Sequence, residues 1–348
     1  MSIIHIARKV KSMPYRVTFV IATRNRPDIL SLCLRSCLAQ EGIEPEILVY
    51  DDASDVPIPS AVLTEFGNRV RVIRLEHNLG QPAVRNRGYQ KAANGIIVSL
   101  DDDTVLFNSE IVRNCAELLE SSNDIGGVAI RYFERLGTPS TQGPRSCKQG
   151  PQIYGDVTCS SFAGGAVVLR KSAVLDCGLY PEWTYRQGEE RFLSIRLLDA
   201  GYRIVMHGPP SAIHLYSPIR DRRAMNWYGI RNALLFDWIC VPHPYLVPYL
   251  MKDIVKLFFY KLSVRNFPGK FGAIGWGLAS IIGKWSLRKP VSRATFRKYL
   301  TLPRHGAIPL PPDWSPEPLI KMGVIAQASE LDPFLKPEKM SVRSCSSR

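Results

Sequence analysis

No Cys-x-x-Cys pair occurs among the eight cysteines, and no internal repeat is present. Cys33 and Cys37 sit four apart in a helical pattern, and the other cysteines are scattered. That spacing favours reduced, buried thiols of a cytosolic protein over disulfides or a zinc site. Long hydrophobic runs are also missing. The longest, Phe271 to Gly283, holds 13 residues, where a helical span needs about 20, so no transmembrane helix is expected. The amino terminus carries Arg8, Lys9 and Lys11 but no apolar core before Pro14, which argues against a signal peptide. Acid is nearly absent from Leu250 to Leu300, where eleven lysines and arginines face the single acid Asp253. A block of one sign points to an anionic partner, either lipid headgroups or nucleic acid.

What is present is a regular alternation of short β-branched runs and amphipathic stretches. Val17 to Ala22 reads as a strand, followed by a helix from Pro27 to about Gln40 with Ile29, Leu30, Cys33, Leu34, Cys37 and Leu38 on its apolar face. Strands follow at Glu46–Tyr50 and Val70–Leu75, then a helix from Pro82 to about Ala93, then a strand at Ile96–Leu100. Alternation of this kind predicts a parallel sheet with right-handed crossovers. Thr23, Asp52 and Asp101 each lie at a strand's carboxyl end, where open α/β sheets bind ligands.

Asp101, Asp102 and Asp103 are adjacent carboxylates that repel one another unless a cation neutralises them. Hard oxygen ligands suit Mg²⁺ or Mn²⁺ shared with a substrate's phosphates. Arg85 and Arg87, in the helix that starts at Pro82, suit a diphosphate.

The blocks Val20-Ile21-Ala22-Thr23-Arg24-Asn25-Arg26-Pro27, Tyr50-Asp51-Asp52-Ala53-Ser54, Asn78-Leu79-Gly80 with Val84-Arg85-Asn86-Arg87-Gly88, and Leu100-Asp101-Asp102-Asp103 together resemble a family 2 glycosyltransferase over about residues 15–235. The resemblance implies the GT-A fold, a mixed Rossmann-like sheet flanked by helices. It also implies a nucleotide-sugar donor, a divalent metal and inversion at the anomeric carbon. On this reading Thr23, Asn25, Asp52, Arg85, Asp101 and Asp102 hold the nucleotide, while Asp101 and Asp103 hold the metal. His214, in the apolar run Ile213 to Tyr216, either completes that site or is structural.

In the second half, Val128–Phe133 reads as a strand, Gly137–Gly155 as a loop able to fold over a ligand, and Ser161–Leu169 as a glycine-interrupted strand. Gly164 and Gly165 either admit a close approach to the donor sugar or relieve packing. Gly188-Glu189-Glu190 opens a helix that runs to about Ala200. Two acids there suit the helix dipole alone. With Leu193, Arg196 and Ala200-Gly201-Tyr202, however, they resemble the family's Glu-Asp block, whose second acid is the base. That acid maps to Glu190, glutamate in place of the usual aspartate, and Glu189 is the rival. Tyr228 and Arg231 belong to a Tyr-x-x-Arg-Asn element, with Arg231 expected on phosphate or acceptor and Asn232 in a structural part. The Gln-x-x-Arg-Trp signature of processive synthases is absent, which implies addition of one or a few sugars.

The expected organisation is an extension (1–14), a catalytic domain (15–240, divided into 15–123 and 124–240), a helical basic region (241–302) and a Pro/Ser-rich tail (303–348), extended or disordered. Tyr249–Val264 fits either an interfacial helix or one packed on the domain with its lysines outward. The expected partners are a nucleoside-diphosphate sugar, a glycan or lipid-linked acceptor and an anionic membrane surface. Nucleic acid is not expected, and the location would be cytoplasmic, peripheral to the membrane. Two alternatives stand beside this reading. A sugar nucleotidyltransferase would need a glycine-rich, lysine-bearing triphosphate loop, which Thr23–Pro27 lacks. A nucleic-acid-binding protein would leave the acids and Glu190 without a role.

Overall fold

The computed structural model describes residues 13–134, 155–215, 221–260 and 267–335. Nearly all of the 137–155 loop lies outside them, as do residues 1–12 and 336–348. Among the described residues ten strands form one sheet: β1 (Tyr15–Thr23), β2 (Ile43–Asp51), β3 (Arg71–Arg74), β4 (Ile96–Asp101), β5 (Thr104–Leu106), β6 (Ile125–Glu134), β7 (Val157–Cys159), β8 (Ala166–Arg170), β9 (Arg203–His214) and β10 (Ile308–Pro309). The order is β3-β2-β1-β4-β8-β6-β9-β5, with β10 on β6 and β7 on β9. β1 to β4 are parallel, as the alternation predicts. β8 runs antiparallel to both β4 and β6, so the whole sheet is mixed.

β1 is buried on both faces. Val17, Phe19 and Ile21 join Leu30, Leu34 and Cys37 of α1 (Pro27–Leu38). Val20 faces the other way, towards Tyr89 of α3 (Gln81–Lys91). The period of two therefore feeds two cores, one on each side of the sheet. α2 (Ser60–Phe66), α4 (Ile111–Glu120) and α5 (Lys171–Asp176) complete the flanking layers.

α6 (Glu189–Asp199) lies between sheet and helices. Its Leu193 and Leu197 join the sheet core, while Phe192, Ile195 and Leu198 join a helical core built from α7 (Arg222–Cys240), α8 (Leu246–Phe259), α9 (Phe267–Gly283) and α10 (Arg293–Thr301). No helix among the described residues is long and apolar enough to cross a membrane. The six described cysteines are free, and five are buried.

Two expectations need correction. Ser161–Leu169 is not a strand throughout. Pairing starts at Ala166, opposite Leu100, because Ala166 N–H closes a turn on Ala163 O at 3.0 Å. The segment after Pro303 is not disordered up to residue 335. Leu310, Leu319, Val324, Ile325 and Leu331 are buried against Ile29 and Leu32 of α1, Val105 and Ile213. β10 pairs with β6, and α11 (Glu317–Lys321) follows. The apolar residues in this stretch, not its proline content, decide its state.

His305 anchors this segment. Its Nε2–H donates to Ile130 O at 2.9 Å, and burial pushes the imidazole down to about 4. A base whose folded value lies below its unfolded 6.5 keeps its full contribution above 6.5 and loses it as pH falls towards 4. That ring alone should cost about 2–3 kcal/mol over the window. Urea midpoints measured from pH 7 to 4 should fall more steeply for the wild type than for His305→Gln. Parallel curves would assign the slope to other groups.

Candidate active site

Parallel register brings three strand ends to one edge, with Thr23 opposite Asp51 and Ala22 opposite Asp101. Asp52 follows β2, and its carboxylate accepts from Leu79 N at 2.7 Å and Gly80 N at 3.0 Å. Burial raises its pKa against those two N–H groups. Asp52 thus pins the loop that enters α3. Asn25 ties a neighbouring loop, with its backbone N–H on Ser54 Oγ (2.9 Å) and its side chain exchanging bonds with Asp55. Thr23, Asn25, Arg26, Pro27 and residues 54–59 line a cleft of about 430 Å³.

The three aspartates separate in role. Asp102 points inward, accepting from Thr23 Oγ1 at 2.7 Å and Arg26 Nη1 at 2.9 Å. Burial pushes it up to about 7, opposed by Arg26. Asp103 accepts from the same Arg26 Nη1 at 2.9 Å and meets His214 Nε2 at 3.1 Å. His214 arrives because β9 pairs with β5, setting it opposite Thr104. Its Nδ1 lies 3.3 Å from Glu134 Oε1. Asp101, Asp103 and His214 each offer one ligand atom, all within 4.8 Å of one another. Two carboxylates and an imidazole, with Glu134 orienting the ring, form a donor set suited to Mg²⁺ or Mn²⁺. Arg26 stands out only in the structure. Burial opposes its charge, but Asp102, Asp103 and Asp101 outweigh it and raise its pKa.

On the other side of Asp101, Arg85 is 1% exposed. Its Nη2 donates to Asp101 at 2.6 Å and its Nη1 to Glu189 Oε1 at 3.2 Å, with Glu190 Oε1 at 3.8 Å. Burial works against the guanidinium, yet the acids around it keep its pKa well above the usual value. Gln81 Nε2 also donates to Asp101, at 2.5 Å. Gly164 and Gly165 pass directly over these groups. A Cβ on Gly164 would lie 2.4 Å from Arg85 Nη1, and one on Gly165 2.3 Å from Asp101 Cγ. Close approach is therefore why both are glycine.

Glu189 is sealed in, and its Oε2 has no hydrogen-bond partner among the described residues. Burial and the neighbouring Glu190 push it up to about 8. Glu190 is one-fifth exposed at its side chain and accepts from Gly164 N at 3.3 Å. Burial raises it too, while Arg85 and the Gly164 N–H hold it down.

Residues 18–177 match the profile of Glycosyl transferase family 2. That segment, a little under half of the chain, is a Glycosyl transferase family 2 domain. The transferase is 42% identical over 90 residues to the succinoglycan biosynthesis protein ExoO of Rhizobium meliloti, covering 26% of each chain. It is 30% identical over 126 residues to the uncharacterized glycosyltransferase YwdF of Bacillus subtilis, covering 35% of this chain and 46% of that one. The matches thus span less than half the length of these relatives. Among solved structures, S. aureus TarS 1–349 in complex with UDP-GlcNAc superposes with a TM-score of 0.54 at 15% identity, over 77% of this chain and 81% of that one. The mannosyltransferase PcManGT from Pyrobaculum calidifontis, in complex with GDP-Man and Mn²⁺, superposes at 0.51 and 15% identity, over 84% and 80%. The fold of the transferase is GT-A. Over residues 18–177 the family match favours a glycosyltransferase over a nucleotidyltransferase.

Arg231, expected on phosphate or acceptor, has protein partners in the structure. In the transferase its Nη2 donates to Trp183 O (2.7 Å) and Thr184 O (3.0 Å), and its guanidinium covers the rings of Tyr228 and Trp276 at 4.9 and 4.5 Å. Tyr228 packs on Tyr185 at 5.1 Å. Asn232 Nδ2 donates to Thr184, Arg186 and Gln187 carbonyls. That loop contains Tyr185, Gln187 and Gly188 at positive φ, and it delivers Glu189 and Glu190. The pair Arg231–Asn232 thus ties α7 to the loop that delivers the two acids. Asn232→Ala should cost about 2–4 kcal/mol by orphaning buried carbonyls. Urea unfolding would show this, and a loss below about 0.5 kcal/mol would mean that the loop holds itself.

Proposed function

We propose that the chain transfers a sugar from a nucleoside-diphosphate donor to an acceptor hydroxyl in one displacement with inversion. The observation that carries this reading is the pairing of Asp101, Asp103 and His214 on one side of Arg85 with Glu190 on the other, under a glycine-only stretch of backbone. Asp101, Asp103 and His214 would hold Mg²⁺ or Mn²⁺, which when bound neutralises charge on the leaving diphosphate. Arg26 and Arg85 supply fixed positive charge beside the same acids. Thr23, Asn25 and Asp52 shape the nucleoside end, and Gly164–Gly165 leave room for the sugar. Glu190 takes the proton from the acceptor hydroxyl as its oxygen bonds to the anomeric carbon and the bond to the diphosphate breaks. Exposure favours Glu190 over the sealed Glu189 as base.

The acceptor class is a glycan or lipid-linked sugar of the cell surface. The similarity to ExoO, a succinoglycan biosynthesis protein, and to RfbC of Myxococcus xanthus, an O-antigen biosynthesis protein, supports it. The setting that goes with such an acceptor is the inner face of the cell membrane. The deciding experiment is a calorimetric titration of the protein with UDP, GDP and dTDP, with and without Mn²⁺. Metal-dependent binding of one nucleotide is expected. No binding to any of the three by a folded sample would overturn the reading.

A further inference from the structure

α8 is apolar nearly all round yet packed on one side only. Ile254, Leu257 and Phe258 join the helical core, while Val247, Met251, Val255 and Phe259 form an exposed stripe at four-residue spacing, with Phe259 64% exposed. A helix of that kind needs cover on both sides. α9 repeats the pattern. Ala273, Ile274 and Ile281 are buried, and Phe271 (68% exposed), Leu278 and Ile282 (77%) point outward from one face. The end of α8 touches the start of α9, with Phe258 and Phe267 ring centroids 5.6 Å apart.

The charge around this face is of one sign. Lys252 and Lys256 stand exposed along α8, and Lys289, Arg293, Arg297 and Lys298 stand exposed beyond α9. Asp253, the one acid among the described residues from 246 to 300, is buried. A second copy of the chain would set this basic surface against itself, and a nucleic acid has no use for rows of bare Phe and Ile. Acyl chains under anionic headgroups match both features at once. α9 has 17 residues, about 25 Å of helix, which is too short to span the hydrocarbon core.

We infer that α8 and α9 form a monotopic docking face that lies in the surface of an anionic lipid bilayer, with Val255, Phe259, Phe271 and Ile282 inserted and Lys252 and Lys256 at headgroup level. α9 also reaches the site. Its Trp276 packs edge-on against Tyr228 at 5.2 Å, and Tyr228 touches Tyr185 in the loop that delivers Glu190. The docked face and the acceptor side of the cleft thus share one helix. The biological use of the face rests on the lipid-linked acceptor proposed above, while the docking itself does not.

The test is co-sedimentation of the full chain with phosphatidylcholine vesicles and with vesicles of phosphatidylcholine and phosphatidylglycerol at about three to one. The chain should pellet with the anionic vesicles and much less with the neutral ones, and rising salt should release part of it. The variant Val255→Ser/Phe259→Ser/Phe271→Ser/Ile282→Ser changes only exposed side chains, so it should fold. Its partition should drop by about tenfold or more, with nucleotide binding unchanged. Lys252→Gln/Lys256→Gln should flatten the salt dependence. A wild type that stays in the supernatant, or a serine variant that pellets equally, overturns the docking face. So does a stable dimer by light scattering that the serine variant splits, which would make the face a contact between copies. Vesicle binding by a protein that binds no nucleotide would sink the transferase reading and leave the docking face standing.

Discussion

Glu190→Gln will lower the transfer rate by about two to four orders of magnitude, the usual worth of a positioned base, and will leave nucleotide affinity within about a factor of two. Glutamine has the same shape, and its amide oxygen can still accept from the Gly164 N–H that meets Glu190 Oε1. What it lacks is the ability to take a proton. A base must be ionised, so the wild-type rate falls as pH drops through the Glu190 pKa, which burial holds above that of an ordinary glutamate. That acidic limb should vanish from the residual rate of the variant. Glu189→Gln is the informative companion. Glu189 is sealed against Arg85, so its loss should act through the placement of Arg85 and should not erase the limb. A Glu190→Gln enzyme with near-normal turnover would move the base to Glu189.

The second large effect belongs to Asp103. Asp103→Ala removes one of the three ligand atoms in the Asp101, Asp103 and His214 cluster and one of the two carboxylates that hold Arg26. Calorimetry should show that the Mn²⁺-dependent part of nucleotide binding collapses to the level seen in chelator, a loss of about 10- to 100-fold in affinity. Arg26 keeps its bond to Asp102, so the fold should survive. Asp103→Asn, which keeps the size, should lose the metal dependence equally. Undiminished Mn²⁺-dependent binding in both variants would take Asp103 out of the site.

The first half of the site was legible because each block is local. A β-branched strand followed by an acid or a Thr-x-Asn-Arg turn reads directly as a strand end at a sheet edge, and the register of β1, β2 and β4 brings those ends together. Arg26 was hidden. Beside Pro27 it reads as a residue near a helix cap, and its partners Asp102 and Asp103 lie 76 and 77 residues further on. The partners of Arg231 were hidden for a related reason. Its Tyr-x-x-Arg-Asn setting suggested a ligand, whereas its donors go to carbonyls 47 and 48 residues upstream. The tail was misread because proline and serine dominate its composition, while the residues that pack it, Leu310, Leu319, Val324 and Leu331, follow neither a helical nor a strand period. The glycine pair was an open choice between room for a sugar and relief of packing, and what a Cβ would meet there is the chain's own Asp101 and Arg85, at 2.3 and 2.4 Å.

β10 is only two residues long, but it has a consequence for how such enzymes can be recombined. Ile308 and Pro309 pair with Phe133 and Glu134, and Leu310 N–H donates to Glu134 O at 2.7 Å. Glu134 is the residue that steadies His214. A stretch more than 130 residues beyond the family match, which ends at residue 177, therefore buttresses the imidazole of the site. A chimera grafted at residue 177 would carry only the motifs of the first half and would exchange Glu190, His214 and that buttress together. The segment that travels as one heritable piece extends at least to Leu310.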